Sequence, residues 1–249
     1  MNTQNQSKKK VSLFITCLVD NFFPQVGDSM VKVLSKLGVD MNFPDDQTCC
    51  GQPAFNSGFQ HDARVLAKRF LSIFDDDNSY VVCPSGSCTT MVKIFYRELL
   101  KEEPKELELA NRLASRTYEF SEFLTNVLHV EDVGASYSGK VTYHDSCHLL
   151  RELGIRDEPR KLIKSVRGID FVEMNMHDAC CGFGGTFSIK FPGVSISMLE
   201  EKINSIVESG ADTVVSTDMG CLMHIGGAIS RRKIPVKVMH IAELLALNI

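Results

Sequence analysis

The chain has 249 residues, 44% of them hydrophobic, enough to bury a substantial core as one large domain or as two halves of about 120 residues. Its 27 basic and 31 acidic residues leave a net charge of −4, without the basic excess that phosphate binding requires, so no nucleic-acid partner is expected. No apolar run approaches the ~18 residues of a membrane span, and Asn21-Phe22-Phe23-Pro24 does not offer the small-residue site of a secretory signal, so a cytoplasmic protein without direct membrane insertion is expected.

Residues 1–10 are polar and end in three lysines, which predicts a disordered tail. Val11 to Thr16 is an apolar strand that delivers Cys17. Val26, Met30, Val33, Leu34 and Leu37 recur at helical spacing over Gln25 to Leu37, and Gly38 stands where the helix would stop. A strand over Val39 to Phe43 leads to the loop of Cys49-Cys50-Gly51. Phe59 to Phe74 predicts an amphipathic helix, Tyr80 to Cys83 a third strand, and Met91, Val92, Phe95 and Leu99 the helix after it. The charged stretch Lys101 to Glu108 precedes two further helical segments, the second marked by Phe120, Phe123, Leu124, Val127 and Leu128. Glu131 to Lys140, with Gly134, Ser136, Ser138 and Gly139, predicts a linker.

The order then repeats. Val141 to Tyr143 predicts a strand before His144-Asp145-Ser146-Cys147-His148, Pro159 to Val166 a helix, and Phe171 to Met174 a strand before Cys180-Cys181-Gly182. Ile196, Leu199, Ile203, Ile206 and Val207 mark a helix, Thr213 to Ser216 a strand before Cys221, and Val236 to Met239 with Ile241 to Leu247 closes the chain. Alternating strands and helices predict an α/β protein of two pseudo-symmetric, Rossmann-like halves, each a mostly parallel sheet flanked by helices, with ligands at the carboxyl ends of the strands. The expected halves are residues 11–133 and 134–249.

Eight of the nine cysteines obey one scheme twice. Cys17 is followed after 31 residues by Cys49-Cys50 and 37 residues later by Cys88; Cys147 is followed after 32 residues by Cys180-Cys181 and 39 residues later by Cys221. The copies are offset by 130 to 133 residues, which indicates an internal duplication, and only Cys83 stands outside it. In a reducing compartment such cysteines point to metal or redox chemistry before disulfides. Four thiolates from separate loops suit a soft, iron-rich centre. Both sulfurs of a Cys-Cys pair can face one centre only if the backbone turns, and Gly51 and Gly182 can take the required φ > 0. Cys88 and Cys221 open predicted helices, whose dipole favours thiolate. Two alternatives stay open: a four-thiolate structural zinc site in one half, and cysteines that are merely buried small hydrophobes, the default for Cys83.

The motifs Thr16-Cys17-Leu18-Val19-Asp20, Gln47-Thr48-Cys49-Cys50-Gly51-Gln52-Pro53, Pro84-Ser85-Gly86-Ser87-Cys88, His144-Asp145-Ser146-Cys147-His148-Leu149 and Cys180-Cys181-Gly182-Phe183-Gly184-Gly185-Thr186-Phe187 resemble the cysteine-rich CCG domains of heterodisulfide reductase-like proteins. The iron–sulfur subunits of glycolate oxidase and anaerobic glycerol-3-phosphate dehydrogenase carry the same domain, and the stand-alone two-domain form is similar to the family's lactate-utilisation branch. The resemblance covers nearly the whole chain beyond the tail. It implies an iron–sulfur electron-transfer subunit of a multi-protein system that oxidises L-lactate to pyruvate, working with a ferredoxin-type iron–sulfur protein and other lactate-utilisation subunits. It implies as ligands Cys17, Cys49, Cys50 and Cys88 in one half and Cys147, Cys180, Cys181 and Cys221 in the other. The fuller family motif ends in Cys-x-x-Cys, where this chain has Ser85 and Asp218 in place of the first cysteine. Four cysteines per half imply an ordinary 4Fe–4S cubane, in one half or both, rather than the non-cubane cluster of the five-cysteine form; Cys83 is a candidate fifth thiolate in the first half.

His144 and His148 flank Cys147 as candidate hydrogen-bond donors or proton carriers, or as histidines satisfied in a turn. Arg151 and His177 are candidates for a carboxylate ligand, with a surface role as the default. Gly182-Phe183-Gly184-Gly185 lacks the last glycine of a dinucleotide loop, and no Walker sequence occurs. Without a flavin or nicotinamide site the chain reads as an electron carrier. The alternatives are a cluster-based oxidoreductase acting directly on a thiol, disulfide or hydroxy acid, and a zinc-stapled, non-redox interaction protein.

Overall fold

Strands buried on both faces need runs that are mostly apolar and free of charge, and Val11–Leu13, Tyr80–Cys83 and Thr213–Ser216 supply them, with Ser12, Thr213 and Ser216 as small polar exceptions. The computed structural model describes residues 9–76 and 79–249, and each of these runs lies in the middle of a four-stranded, all-parallel sheet. The first sheet comprises β1 (Lys10–Leu13), β2 (Asp40–Asn42), β3 (Tyr80–Cys83) and β4 (Thr117–Glu119), in the order β2-β1-β3-β4. The second comprises β5 (Ser136–Tyr143), β6 (Arg167–Phe171), β7 (Thr213–Ser216) and β8 (Lys237–His240), in the equivalent order β6-β5-β7-β8. The chain leaves β1 in one direction and β3 in the other, so a crevice opens at their carboxyl ends, and likewise between β5 and β7.

Helices fill the connections. The first half holds α1 (Cys17–Phe22), α2 (Pro24–Lys36), α3 (Gln52–Asn56), α4 (Gln60–Ile73) and α5 (Gly86–Thr90). A π-helical turn (Met91–Phe95) continues α5 into α6 (Tyr96–Leu99), and α7 (Pro104–Arg116) and α8 (Phe120–Glu122), with a second π turn (Phe123–Val127), follow. The second half holds α9 (Cys147–Arg151), α10 (Asp157–Ser165), α11 (Phe187–Lys190), α12 (Pro192–Glu208), α13 (Met219–Arg232) and α14 (Ile241–Leu245).

Alternation along the strands splits the apolar residues among three cores. Val82 and Val215 face a shared inner core built with Met30 of α2, Phe120 of α8, Leu162 of α10 and Leu244 of α14, so these four helices form a layer between the sheets. Val81 and Cys83 face an outer core with Phe70 and Leu71 of α4, and Val214 faces another with Ile203 and Ile206 of α12. The hydrophobic core therefore runs unbroken from one half into the other.

The halves also meet at the strand ends. A Cβ on Gly86 would stand 2.6 Å from Leu149 Cβ, so only glycine lets α5 lie this close to α9. Ser85 and Asp218 form an antiparallel bridge, the Ser85 hydroxyl donating to Asp218 Oδ2 at 3.0 Å. His240 Nε2 reaches the Pro84 carbonyl at 3.1 Å.

Several expectations shift. The tail falls outside the described residues up to residue 8, and Lys10 belongs to β1. The linker over Glu131–Lys140 is half strand: β5 starts at Ser136, and its Gly and Ser residues serve a register irregularity between Ser136 and Gly139 rather than a flexible connection. The strand expected over Phe171–Met174 lies earlier, at β6; it is an exposed edge strand, so its apolar signal is weak, while Met174 turns into the outer core. The charged stretch from Lys101 already contains the start of α7, with Pro104 in its first turn. β4, α1 and α9 are three to six residues long, below the length at which periodicity registers.

The last strand of each half ends in a capping box. Glu119 Oε2 accepts from the Ser121 and Glu122 amides while Glu122 accepts from the Glu119 N–H; His240 Nδ1 accepts from the Ala242 amide while Glu243 accepts from the His240 N–H. Glu119 is fully buried and its Oε1 has no partner among the described residues. Burial, against the pull of the Ser121 and Glu122 hydrogen bonds, raises its carboxyl from 4.5 to about 8. The folded state thus binds a proton that the unfolded state has released, and stability falls as pH rises from about 4.5 to about 8. Glu119→Gln keeps the capping acceptor and removes the titration; it should flatten urea-measured stability over this window and be more stable than the parent at pH 8, by roughly 2 to 4 kcal/mol.

Candidate metal centres at the strand ends

Each crevice collects four cysteines from the ends of three strands. Cys17 opens α1 after β1, Cys49-Cys50 follow β2, and Cys88 lies in the first turn of α5 after β3. Cys147, Cys180-Cys181 and Cys221 take the same places around β5, β6 and β7. Within each half the thiols touch in the same order. Cys17 contacts Cys49, Cys49 contacts Cys50, and Cys50 contacts Cys88 with the sulfurs 3.3 Å apart. Cys147 contacts Cys180, Cys180 contacts Cys181, and Cys181 contacts Cys221. All nine cysteines are free thiols.

The turn that aims both sulfurs of a pair at one point is made by the next residue. Gly51 and Gly182 have φ of +86° and +84°, and their amides donate back to Cys49 Sγ and Cys180 Sγ at 3.4 Å. Hydrogen bonds from Cys17 and Cys50 hold the Cys49 thiol down to about 3, with the Gly51 amide assisting against burial. Cys147 and Cys181 do the same for Cys180, held to about 2. Their neighbours Cys17, Cys50, Cys147 and Cys181 are pushed up, first by the hydrogen bonds they make to Cys49 or Cys180 and then by burial. In each quartet the first cysteine of the Cys-Cys pair ionises most readily, and four clustered cysteine sulfurs are the donor set that a soft cation or an iron–sulfur centre takes once all are thiolates.

Both quartets line one cavity of about 220 Å³, walled also by Leu18, Pro53, Phe183 and Met219 and edged with Gln52, Asn56, Ser146 and His148. Asp218 sits at its seam. Its Oδ1 accepts from the Gly220 amide of α13 and its Oδ2 from the Ser87 amide of α5, both at 3.0 Å, so one carboxylate caps the two helices that carry Cys88 and Cys221. Ser85 Oγ accepts from the Cys88 amide at 3.2 Å. Ser85 and Asp218 thus both hold helix ends in place.

The other candidates separate. Cys83 is fully buried in the first outer core and contacts the Ser85 carbonyl at 3.6 Å; it does not line the cavity. His148 lines the cavity with Nδ1 3.7 Å from Cys147 Sγ. Arg151 donates to the Asp178 carbonyl at 3.1 Å, and His177 Nδ1 lies 2.7 Å from Asp145 Oδ2 inside a cluster with Arg160 and Glu173; neither lines the cavity. His144 is fully buried beside Cys181 and Cys221, and both its ring nitrogens lack a partner among the described residues. The buried Lys202, whose ammonium donates to the Met176 and His177 carbonyls, escapes sequence reasoning because its polar neighbours are carbonyls, which sequence does not reveal. The Asp218 cap is legible only as an N-cap before a helix.

The two glycines differ in room. A Cβ on Gly182 would lie 2.5 Å from the Ser195 carbonyl, whereas on Gly51 the closest atoms are the Ala63 carbonyl oxygen and Leu66 Cβ, both at 3.3 Å. Gly182→Ala should cost about 3 kcal/mol and Gly51→Ala about half as much in chemical denaturation of the metal-free chain. Equal effects would show that backbone conformation alone, without packing, sets the requirement.

The profile of the cysteine-rich domain (CCG) family matches residues 11–93 and 141–226, each span containing one quartet. The chain is 51% identical to "Lactate utilization protein A" of Bacillus subtilis over 236 residues, covering 95% of this chain and 98% of that one. It is 48% identical to "Lactate utilization protein A 2" of Bacillus cereus over 237 residues, with the same coverage. A hypothetical protein from Helicobacter pylori has a similar fold, with a TM-score of 0.66 at 11% identity; the match covers 97% of this chain and 49% of that one.

Proposed function

Because the chain belongs to the cysteine-rich CCG domain family and is a close homologue of lactate utilization protein A, we propose that it is the iron–sulfur electron-transfer subunit of a system that oxidises L-lactate to pyruvate. The observation that carries this reading is the pair of equivalent four-thiol clusters lining one cavity. Cys17, Cys49, Cys50 and Cys88 would hold one 4Fe–4S centre and Cys147, Cys180, Cys181 and Cys221 the other. Converting lactate to pyruvate releases two electrons and two protons, and an iron–sulfur centre supplies reversible storage of one electron at a time.

The protein's own part is to place and tune these sites. The Gly51 and Gly182 amides donate to sulfur, and the first turns of α5 and α13 present helix N-termini to Cys88 and Cys221, which favours an anionic site. Leu18, Pro53, Phe183 and Met219 limit water at the cavity wall, and His148 stands at the cavity beside Cys147 as a proton carrier. With no organic cofactor motif to take a hydride, C–H cleavage falls to a partner, and a ferredoxin-type iron–sulfur protein and other lactate-utilisation subunits complete the path. The proposed site of this assembly is the cytoplasm; no helix among the described residues is long and apolar enough to cross a membrane.

Anaerobic reconstitution of the full chain, followed by iron and sulfide analysis and EPR, tests the reading. Two reduced-centre signals are expected, with Cys49→Ser and Cys180→Ser each removing about half of the iron. Stoichiometric zinc without visible absorbance would replace it with a structural zinc protein. The shared cavity supports a second reading, in which a hydroxy acid, thiol or disulfide is oxidised or reduced in it directly. Turnover of L-lactate by the isolated, loaded chain with an artificial acceptor would favour that reading over the carrier role.

A further inference from the structure

The two halves are not chemically equal at the base of their cysteine clusters. The residue after β1 is Phe14 and the residue after β5 is His144; their amides make the same ladder hydrogen bond, to the Val82 and Val215 carbonyls, each at 2.9 Å. Phe14 packs against Phe70 and Phe74 with ring centroids 4.8 and 5.7 Å away, in an apolar pocket that asks for no polar partner. His144 fills the equivalent position with an imidazole that is 0% exposed, and both its nitrogens lack a partner among the described residues. A buried polar ring without partners is destabilising unless a ligand completes it. The nearby polar groups are already engaged: Asp145 binds Arg160 and His177, and Lys202 donates to the Met176 and His177 carbonyls. A ring nitrogen of His144 and the sulfurs of Cys181 and Cys221 all lie within 4.8 Å of one another. Asp218 is committed through both oxygens to helix capping and to the Ser85 hydroxyl.

We propose that His144 is a direct nitrogen ligand of the centre in the second half, on the side of Cys181 and Cys221, whereas the centre in the first half is held by thiolates alone. This rests on the reading that the second quartet binds an iron–sulfur centre. An imidazole ligand on one side only makes the two centres spectroscopically distinct.

The test uses the full chain with Cys49→Ser and Cys50→Ser, so that only the second centre loads, labelled with ¹⁵N-histidine and reconstituted anaerobically with iron and sulfide. Pulsed EPR of the reduced centre should show a strongly coupled histidine nitrogen that His144→Phe abolishes. Against a chelator, His144→Phe should lose iron at least about tenfold faster, while His144→Cys retains iron without the nitrogen coupling. In the background with all eight cysteines, His144→Phe should change the signal of one centre and leave that of the other as in the parent. A loaded parent without nitrogen coupling, or a coupling that survives in His144→Phe, overturns the assignment while leaving the proposed function intact. A parent in which the second half takes up no iron overturns both.

Discussion

The carboxylate of Asp218 has two oxygens and spends them in two halves of the molecule. One caps α13 at Gly220; the other takes the Ser87 amide of α5 and the Ser85 hydroxyl. These two helices carry Cys88 and Cys221 in their first turns, so the position of a thiol in each quartet is referred to the same atom group. The close packing at Gly86 against Leu149 and the His240 to Pro84 hydrogen bond brace the same seam. The common cavity follows from this geometry: two strand-end crevices, one on each sheet, are turned toward each other and locked there.

Around that symmetric frame the surroundings diverge. The first quartet rests on aromatic rings, with Tyr96 donating to the Cys50 carbonyl at 2.9 Å beneath Phe14, Phe70 and Phe74. The second rests on an ionic base: Arg160 spans Asp145 and Glu173, and the Lys202 ammonium is buried close to Cys181 and Cys221. Buried positive charge stabilises anionic sulfur and an added electron far more effectively than the same charge in water. The same order of thiol contacts in the two halves is thereby coupled to unequal electrostatics.

Much of this is legible in the residues. The doubled cysteine spacing and the runs at Val11, Tyr80, Val141 and Thr213 put all eight thiols near strand ends, because burial on both faces leaves a continuous apolar signature. What escapes are features with no local periodicity. β6 is an exposed edge strand, so its apolar neighbours Phe171 to Met174 draw the expected strand too far along the chain. Ser85 and Asp218 read as losses from a motif, since nothing local indicates that residues 133 positions apart pair with each other. His144 stands out in sequence only as a neighbour of Cys147; its burial without hydrogen-bond partners is a property of the fold.

The Ser85 and Asp218 pairing also bears on why the two halves share one chain. Across a true twofold axis between identical subunits, a residue on the axis meets its own copy: serine would face serine, or aspartate would face aspartate with two like charges in contact. A donor opposite an acceptor at such a position needs two independently encoded residues. Covalent linkage of the halves provides that freedom, and the same freedom places an imidazole on one side of the pseudo-axis and a phenyl ring on the other. In this protein, joining the copies is what permits them to differ.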